Sequence, residues 1–344
     1  MSGGEAIDFL VIGAPKSGTT SLFEYLRGHP EIELPPDKEA PYFSDDRIYG
    51  RLSWEEYLRR AFPAGKRGRL AGTITPHYMS PITGVDEGGP AGGPYDEHAL
   101  PRRIHERLPS ARLIAILRDP VQRAYSHHIQ ETRLGHETRS FPAAVEELLR
   151  PEELARSRAQ STRTNCYVVL GEYGRLLSAY YDLFGADRIL VLFTDALSRE
   201  PRAVLRRIHG FLEVDPEVEP RNLGKRYNVS AAEVKISRVS PATAVRLAAG
   251  NPVTRAVWRS LTAQRKSAVL AWYKRLDFRF KTWNRRPAPA VEPPPEDAAA
   301  LERLREHYAA DARLLARLLG YPPPWGAADG APPAAADSPD AARK

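Results

Sequence analysis

Ile7-Asp8-Phe9-Leu10-Val11-Ile12-Gly13-Ala14-Pro15-Lys16-Ser17-Gly18-Thr19-Thr20 decides the fold. Its first half, Ile7–Gly13, is a short apolar run closed by a glycine, the pattern of a parallel strand buried on both faces. Its second half turns at Ala14 to Gly18 and enters a helix over Thr19–Arg27, with Leu22, Tyr25 and Leu26 on one side and His29-Pro30 as its stop. Such a unit gathers free backbone N–H groups and the positive end of a helix dipole, and an anionic group suits that place. Gly18 permits close backbone approach, Lys16 adds charge, and Ser17, Thr19 and Thr20 add hydroxyl donors. Taken alone, the loop also fits an ordinary strand-to-helix turn with polar surface residues.

The same alternation continues outward. A second strand is expected at Leu70–Ile74, a helix over His98–Leu108, and the clearest strand at Ala111–Leu117. Asp119-Pro120 opens the next helix as N-cap and N1, and that helix runs to about Leu134. Phe141–Ser161 reads as a polar helical covering segment, Glu172–Phe184 as an amphipathic helix, Arg188–Phe193 as a short buried strand and Pro201–Leu212 as a helix. Strands that alternate with helices predict an α/β fold of three layers, P-loop-like, with a central parallel sheet flanked by helices. The chain beyond is expected to be mostly helical. Its last helix, Glu296–Leu319, follows the linker-like Pro287–Pro295. We expect a single domain over 1–321, with a core at about 7–230 and a helical part at about 231–321. Gly84–Pro94 reads as a surface loop, and residues 322–344, rich in Ala, Pro, Gly and Asp, as a disordered tail.

Composition narrows the function classes. The net charge of +7 on 344 residues suits an anionic ligand and equally a solvated basic surface. Of the 50 basic residues nine are Lys and 41 are Arg, so a Lys inside a glycine-bearing loop is less easily background. Cys166 is the one cysteine; it excludes an intramolecular disulfide or a Cys-based metal cluster and reads as a small, partly buried apolar residue. His127 and His128 are adjacent, so on a helix they point roughly 100° apart and would not easily chelate one ion; no metal is expected. The N-terminus lacks a basic segment followed by an apolar one, and no stretch approaches the ~20 apolar residues of a membrane span. A cytoplasmic protein is expected. The basic residues are dispersed without a recognition motif, which disfavours nucleic acid. The loop is also not a Walker A motif, because Lys16 precedes Gly18, and a nucleotide kinase or ATPase loses ground on that detail.

A second unit makes the case specific. The strand Ala111–Leu117 runs into Arg118-Asp119-Pro120 and then Arg123-Ala124-Tyr125-Ser126. Arg118 falls at the strand's carboxyl end, where ligands lie in open parallel sheets, and Ser126 about two turns into the next helix. An Arg fork and a hydroxyl can jointly hold a phosphate, although Arg118 alone would equally fit a salt bridge to Asp119. Together the two units resemble the sulfotransferases that use 3′-phosphoadenosine-5′-phosphosulfate (PAPS): the first its 5′-phosphosulfate loop, the second its 3′-phosphate motif. His29-Pro30 and Lys38-Glu39-Ala40-Pro41-Tyr42-Phe43 are similar to segments of the heparan-sulfate-type and bacterial branch, and the resemblance covers about residues 7–230.

The resemblance implies transfer of a sulfuryl group from PAPS to a hydroxyl or amine of a small-molecule, glycolipid or carbohydrate acceptor, with release of adenosine 3′,5′-bisphosphate and no metal. Lys16 would contact the bridging or sulfuryl oxygen, the N–H groups of Ser17, Gly18, Thr19 and Thr20 the 5′-phosphate, and Arg118 with Ser126 the 3′-phosphate. Gly224–Ser230 resembles the late basic loop that closes over the nucleotide, with Lys225 and Arg226 as phosphate contacts. The acceptor must lose a proton, and the branch assigns that to the residue matching Glu39. On composition Glu39 is equally a surface carboxylate paired with Lys38. His77, in Thr73-Ile74-Thr75-Pro76-His77-Tyr78, is the competing base: another branch has a catalytic His just past this strand. The heparan-type Glu-Lys-Thr-Pro is not matched here, so that Lys is missing, and His77 reads either as its replacement or as a loop residue. Gly171-Glu172-Tyr173-Gly174 reads as structural or acceptor-lining rather than catalytic. The Arg-, Ala- and Pro-heavy composition resembles that of high-GC bacteria, which favours an acceptor other than heparan. A non-catalytic anion or polysaccharide binder on the same fold is the remaining rival.

Overall fold

The computed structural model describes residues 7–45, 48–66, 68–80, 96–225, 227, 234–235, 285–286 and 293–325. Five parallel strands form the sheet: β1 (Phe9–Gly13), β2 (Ile32–Glu33), β3 (Leu70–Ile74), β4 (Arg112–Leu117) and β5 (Ile189–Phe193), in the order β2-β3-β1-β4-β5. β1 is central, pairing Leu10 with Thr73 of β3 on one side and with Leu113 of β4 on the other.

Alternation along these strands builds the layers. Leu10 and Ile12 of β1, with Leu113, Ala115 and Leu117 of β4, face one core. Phe9 and Val11, with Ile114 and Ile116, face the other. Because side chains alternate along a strand, an unbroken apolar run supplies both faces at once. The first face is covered by α2 (Trp54–Ala61), α3 (Ala99–Arg107) and α8 (Tyr173–Phe184), through residues such as Trp54, Ile104 and Leu177. The second is covered by α1 (Thr19–Leu26), α9 (Thr194–Arg199) and α10 (Pro201–Leu212), through Leu22, Leu197 and Ile208. Burying each such side chain contributes about 1.5–3 kcal/mol before the entropy of ordering is subtracted. The α/β class, the parallel sheet and the flanking helices are as the sequence predicts.

A third core joins α4 (Pro120–Leu134), α5 (Phe141–Leu148) and α7 (Cys166–Val169) to the last helix, α11 (Ala298–Leu319), through Ala124, Val145, Tyr167 and Tyr308. Asp311 of α11 accepts the Gly174 and Arg175 N–H groups at 2.8 Å each, capping α8 from another helix. A Cβ on Gly174 would lie 2.6 Å from the Asp311 carbonyl oxygen, so only glycine admits that approach.

Several elements depart from expectation. The covering segment is two helices, because Pro151 begins α6 (Pro151–Ala159) and cannot continue the one before it. β2 has two residues and no apolar run to announce it. α2 is capped by Ser53, whose side chain accepts from the Glu56 N–H at 3.2 Å, a local signal outside the strand–helix count. Trp325, placed by composition in the tail, sets its ring against Tyr173 and Phe193 at 5.9 and 5.5 Å.

The chain divides into two compact units, 1–228 with 293–344, and 229–292. Of the second, a short antiparallel pair is described, β6 (Val234–Lys235) with β7 (Arg285–Arg286). The helices expected within 231–286, the Gly84–Pro94 loop, most of the 287–295 linker and the tail from residue 326 lie outside the described residues.

Candidate functional site

The loop after β1 is curled by two left-handed residues, Lys16 at φ +69° and Gly18 at φ +92°. Glycine takes that conformation freely; a lysine there is uncommon and is held by its surroundings. The Ala14 N–H donates to the Ile116 carbonyl at 2.8 Å. The Thr194 hydroxyl lies between the Ser17 and Leu117 carbonyls, at 2.7 and 3.0 Å, and ties the loop to the carboxyl end of β4. Ser17 and Thr19 are buried beneath it, and Thr20 is partly exposed. No side chain caps α1, and no acid lies in its first turn. The positive end of this helix is therefore not met by a capping group of its own.

The second motif stands beside the first because β1 and β4 are neighbours. Asp119 accepts the Val121 and Gln122 N–H groups at 2.8 and 3.0 Å, so it caps α4. Arg118 donates instead to Gln122 Oε1 at 3.4 Å, and its own carbonyl accepts the Tyr173 hydroxyl at 2.9 Å. Ser126, one turn beyond Gln122, is buried, and its Oγ has no hydrogen-bond partner among the described residues. Arg123 is fully buried, donates to the Tyr167 carbonyl and, at 3.5 Å, to His127 Nδ1, and leaves Nε without a partner among the described residues.

These cations bear on one another. Burial, then the charges of Arg118, Arg123 and Arg133, pull the Lys16 ammonium down to about 8, against the opposing pull of Glu131. Burial likewise lowers Arg118. Lys16 donates to Gln130 Oε1 at 2.5 Å. Positive charge crowded into a partly desolvated place is a site that an anion would relieve.

Glu39 and His77 share a scaffold on the other side of β1. The Ala40 carbonyl accepts the Tyr57 hydroxyl at 2.8 Å and the Tyr78 hydroxyl at 3.3 Å, while Tyr180 holds the Tyr78 carbonyl. Glu39 precedes the first of these anchors and His77 the second. Glu39 is exposed and accepts from Lys38 Nζ at 3.0 Å, the pairing that composition favours. His77 is exposed too. Surrounding protein lowers its pKa, Glu39 opposes this and Lys38 adds to it. His127, neutralised by burial, also feels Arg123, Lys16 and His77. Lys16, His127, His77 and Glu39 thus lie in one electrostatic neighbourhood.

Comparison with known proteins agrees with this geometry. Residues 6–229 match the sulfotransferase domain. The chain belongs to the sulfotransferase-domain family. It is 26% identical over 226 residues to a bifunctional heparan sulfate N-deacetylase/N-sulfotransferase of Drosophila melanogaster, covering 64% of this chain and 21% of that one. It is 29% identical over 205 residues to the human heparan sulfate glucosamine 3-O-sulfotransferase 6, covering 59% and 51%. The chain therefore spans between about a fifth and about a half of the length of these curated relatives. A crystal structure of a sulfotransferase from Alicyclobacillus acidocaldarius shares the fold, with a TM-score of 0.50 at 24% identity, covering 77% of this chain and 96% of that one.

Other expected residues of this sulfotransferase domain lie apart from the loop or outside the described residues. Lys225 is exposed, with its ammonium 5.5 Å from the Tyr227 ring centroid; its carbonyl accepts the Tyr25 hydroxyl at 3.0 Å, which docks the late loop on α1. Arg226 is outside the described residues. Glu172 is buried and structural, accepting from Arg158, Arg175 and His307 at 2.6–3.0 Å. Sequence reasoning quoted Arg123 within the second motif and His127 beside His128, but did not see that both, with Gln130 and Glu131, form the inner face of α4. Their spacing of three and four residues is the available signal, but a polar stripe on a helix ordinarily reads as solvent-facing. Among the described residues no helix is long and apolar enough to cross a membrane, and no three His, Cys, Asp or Glu side chains are grouped to hold a metal.

Proposed function

We propose that this chain transfers a sulfuryl group from PAPS to a hydroxyl or amine of an acceptor, releasing adenosine 3′,5′-bisphosphate. The observation that carries the reading is the pairing of two cationic ends on adjacent strands: Lys16 after β1, and Arg118 with Ser126 after β4. The buried Ser126 Oγ, unpartnered among the described residues, and the charge-crowded Lys16 and Arg118 fit a ligand phosphorylated at two places. The donor, when bound, supplies an activated sulfuryl group and a phosphate leaving group.

Each residue then has a distinct task. Lys16 places positive charge where the leaving oxygen gains negative charge, and the N–H groups of Ser17 to Thr20 hold the 5′-phosphate. Arg118 and Ser126 take the 3′-phosphate, which separates this ligand from ATP. The resemblance assigns Lys225 and Arg226 to the phosphates as well. Glu39 removes the acceptor proton, with His77 as the alternative base; the bond from Tyr78 to the Ala40 carbonyl, which ties their two segments together, supports treating them as a pair. Carbohydrate is the favoured acceptor class, since heparan sulfate is named in the relatives above.

Sulfate transfer from labelled PAPS to a panel of glycans, lipids and phenols tests the activity, with mass spectrometry of the products. Thermal stabilisation by adenosine 3′,5′-bisphosphate without metal is expected. Stabilisation by Mg-ATP instead would favour a kinase, and nucleotide binding with no turnover on any acceptor a binding protein. Of Glu39→Gln and His77→Ala, the one that collapses turnover with nucleotide binding retained identifies the base.

A further inference from the structure

Glu131 is a buried carboxylate that neither the loop nor the strand-end motif explains. It accepts from Gln130 Nε2 at 3.2 Å and meets His136 Nδ1 at 2.8 Å, with His127 Nε2 at 3.7 Å. None of these three side chains is a permanent cation. An amide is neutral, His127 is held neutral by burial and by its cationic neighbours, and His136 is half in water. A buried carboxylate without a nearby positive charge is costly. Among the described residues, the charges that bear most on Lys16 are Arg118, Arg123 and Arg133, which repel it, and Glu131, which attracts it. Gln130 stands between the two. Its oxygen accepts a hydrogen bond from the Lys16 ammonium at 2.5 Å while its NH2 faces Glu131, an orientation fixed by both partners, since the flipped amide would set N–H against ammonium.

We propose that Gln130 and Glu131 form a positioning clamp for Lys16, Gln130 fixing the ammonium at the phosphate loop and Glu131 balancing the surplus positive charge there. The role of Lys16 toward the donor rests on the function proposed above; the clamp itself does not. Adjacent residues on α4 can serve one partner because Lys16, in its left-handed backbone conformation, comes to them from the end of the loop.

The test reads Lys16 directly. The full-length protein, without nucleotide, is acetylated with a limiting amine reagent across pH 6 to 10, and modification of the Lys16 peptide is followed by mass spectrometry. With Glu131→Gln the midpoint should fall by about one pH unit, roughly a tenfold faster labelling at neutral pH. Gln130→Met, which leaves Glu131 in place, should also raise labelling by freeing the ammonium, and it covers the case in which Glu131→Gln does not fold. A purely structural Glu131 predicts lower melting temperature with an unmoved midpoint, and that result in both variants would overturn the clamp. Binding of adenosine 3′,5′-bisphosphate to Lys16→Ala is measured alongside. Unchanged affinity there would count against the donor role of Lys16 while leaving the labelling comparison intact.

Discussion

The Tyr78 hydroxyl donates to the Ala40 carbonyl at 3.3 Å and accepts the Tyr42 N–H at 3.1 Å, which joins the turn bearing His77 to the loop bearing Glu39. Burial pushes this phenol up to about 12, so it stays a neutral donor across the working range of pH. Tyr78→Phe removes both bonds and leaves the Tyr42 N–H buried without its partner. We expect a loss of about 1–3 kcal/mol in urea unfolding. Turnover should fall by roughly tenfold, because either candidate base is displaced by a fraction of an ångström, while affinity for adenosine 3′,5′-bisphosphate is unchanged.

Lys16 sets function against stability. Its folded pKa of about 8 lies below the ordinary 10.5, so between those values the unfolded chain holds a proton that the folded one has lost. Stability contributed by this group therefore rises as pH climbs from about 8 toward 10.5, and below about 8 the buried ammonium weakens the fold. Lys16→Met should be the more stable protein at pH 7, by about 1–2 kcal/mol after allowing for water around the side chain. The advantage should vanish at high pH. Melting curves at pH 7 and 10 with a nucleotide titration check both halves, since the variant must lose sulfate transfer for the trade to be real.

Ser126 offers a cleaner separation of ligand from fold. Its hydroxyl makes no hydrogen bond to the described residues, so Ser126→Ala should unfold no earlier. Its effect should appear as selectivity. Affinity for adenosine 3′,5′-bisphosphate should drop roughly tenfold while affinity for adenosine 5′-phosphate stays put. Arg118→Ala should cost about a hundredfold on the same comparison, and calorimetry with the two nucleotides separates these outcomes.

The parts of the fold that were legible in the sequence are those in which local pattern and burial coincide. Phe9–Gly13 and Arg112–Leu117 are continuous apolar runs, and Asp119-Pro120 caps α4 with the two bonds its residue types predict. β2 was hidden because a two-residue edge strand is made by its neighbour, not by its own sequence. The loop after β1 and the arginine at the end of β4 were legible for a related reason: both are local features of a strand and the turn that follows it. Arg123, Gln130 and Glu131 were not, since their burial depends on α7, α11 and the loop all closing on one face of α4. A polar stripe reveals that it faces inward only once its partners, distant in sequence, are in place.

Glu172 illustrates such a partner set and permits a pH prediction. Burial alone would raise its carboxyl, but hydrogen bonds from His307 and Arg158 and the charges of Arg175 and Arg158 outweigh it and bring the pKa down to about 2. The folded value is below the ordinary 4.5, so its stabilisation is complete above that pH and is lost as pH falls from about 4.5 toward 2. Glu172→Gln should cost about 3 kcal/mol at pH 7, because three donors from α6, α8 and α11 converge on one buried carboxylate. Near pH 2 the variant and the natural protein should unfold alike. Urea unfolding at pH 7 and at pH 2.5 measures the difference; an equal gap at both would mean that Gln fails for want of packing and not of charge. Nucleotide affinity at pH 7 should be the same in both proteins, since the Glu172 carboxylate holds helices together and touches neither Lys16 nor Arg118.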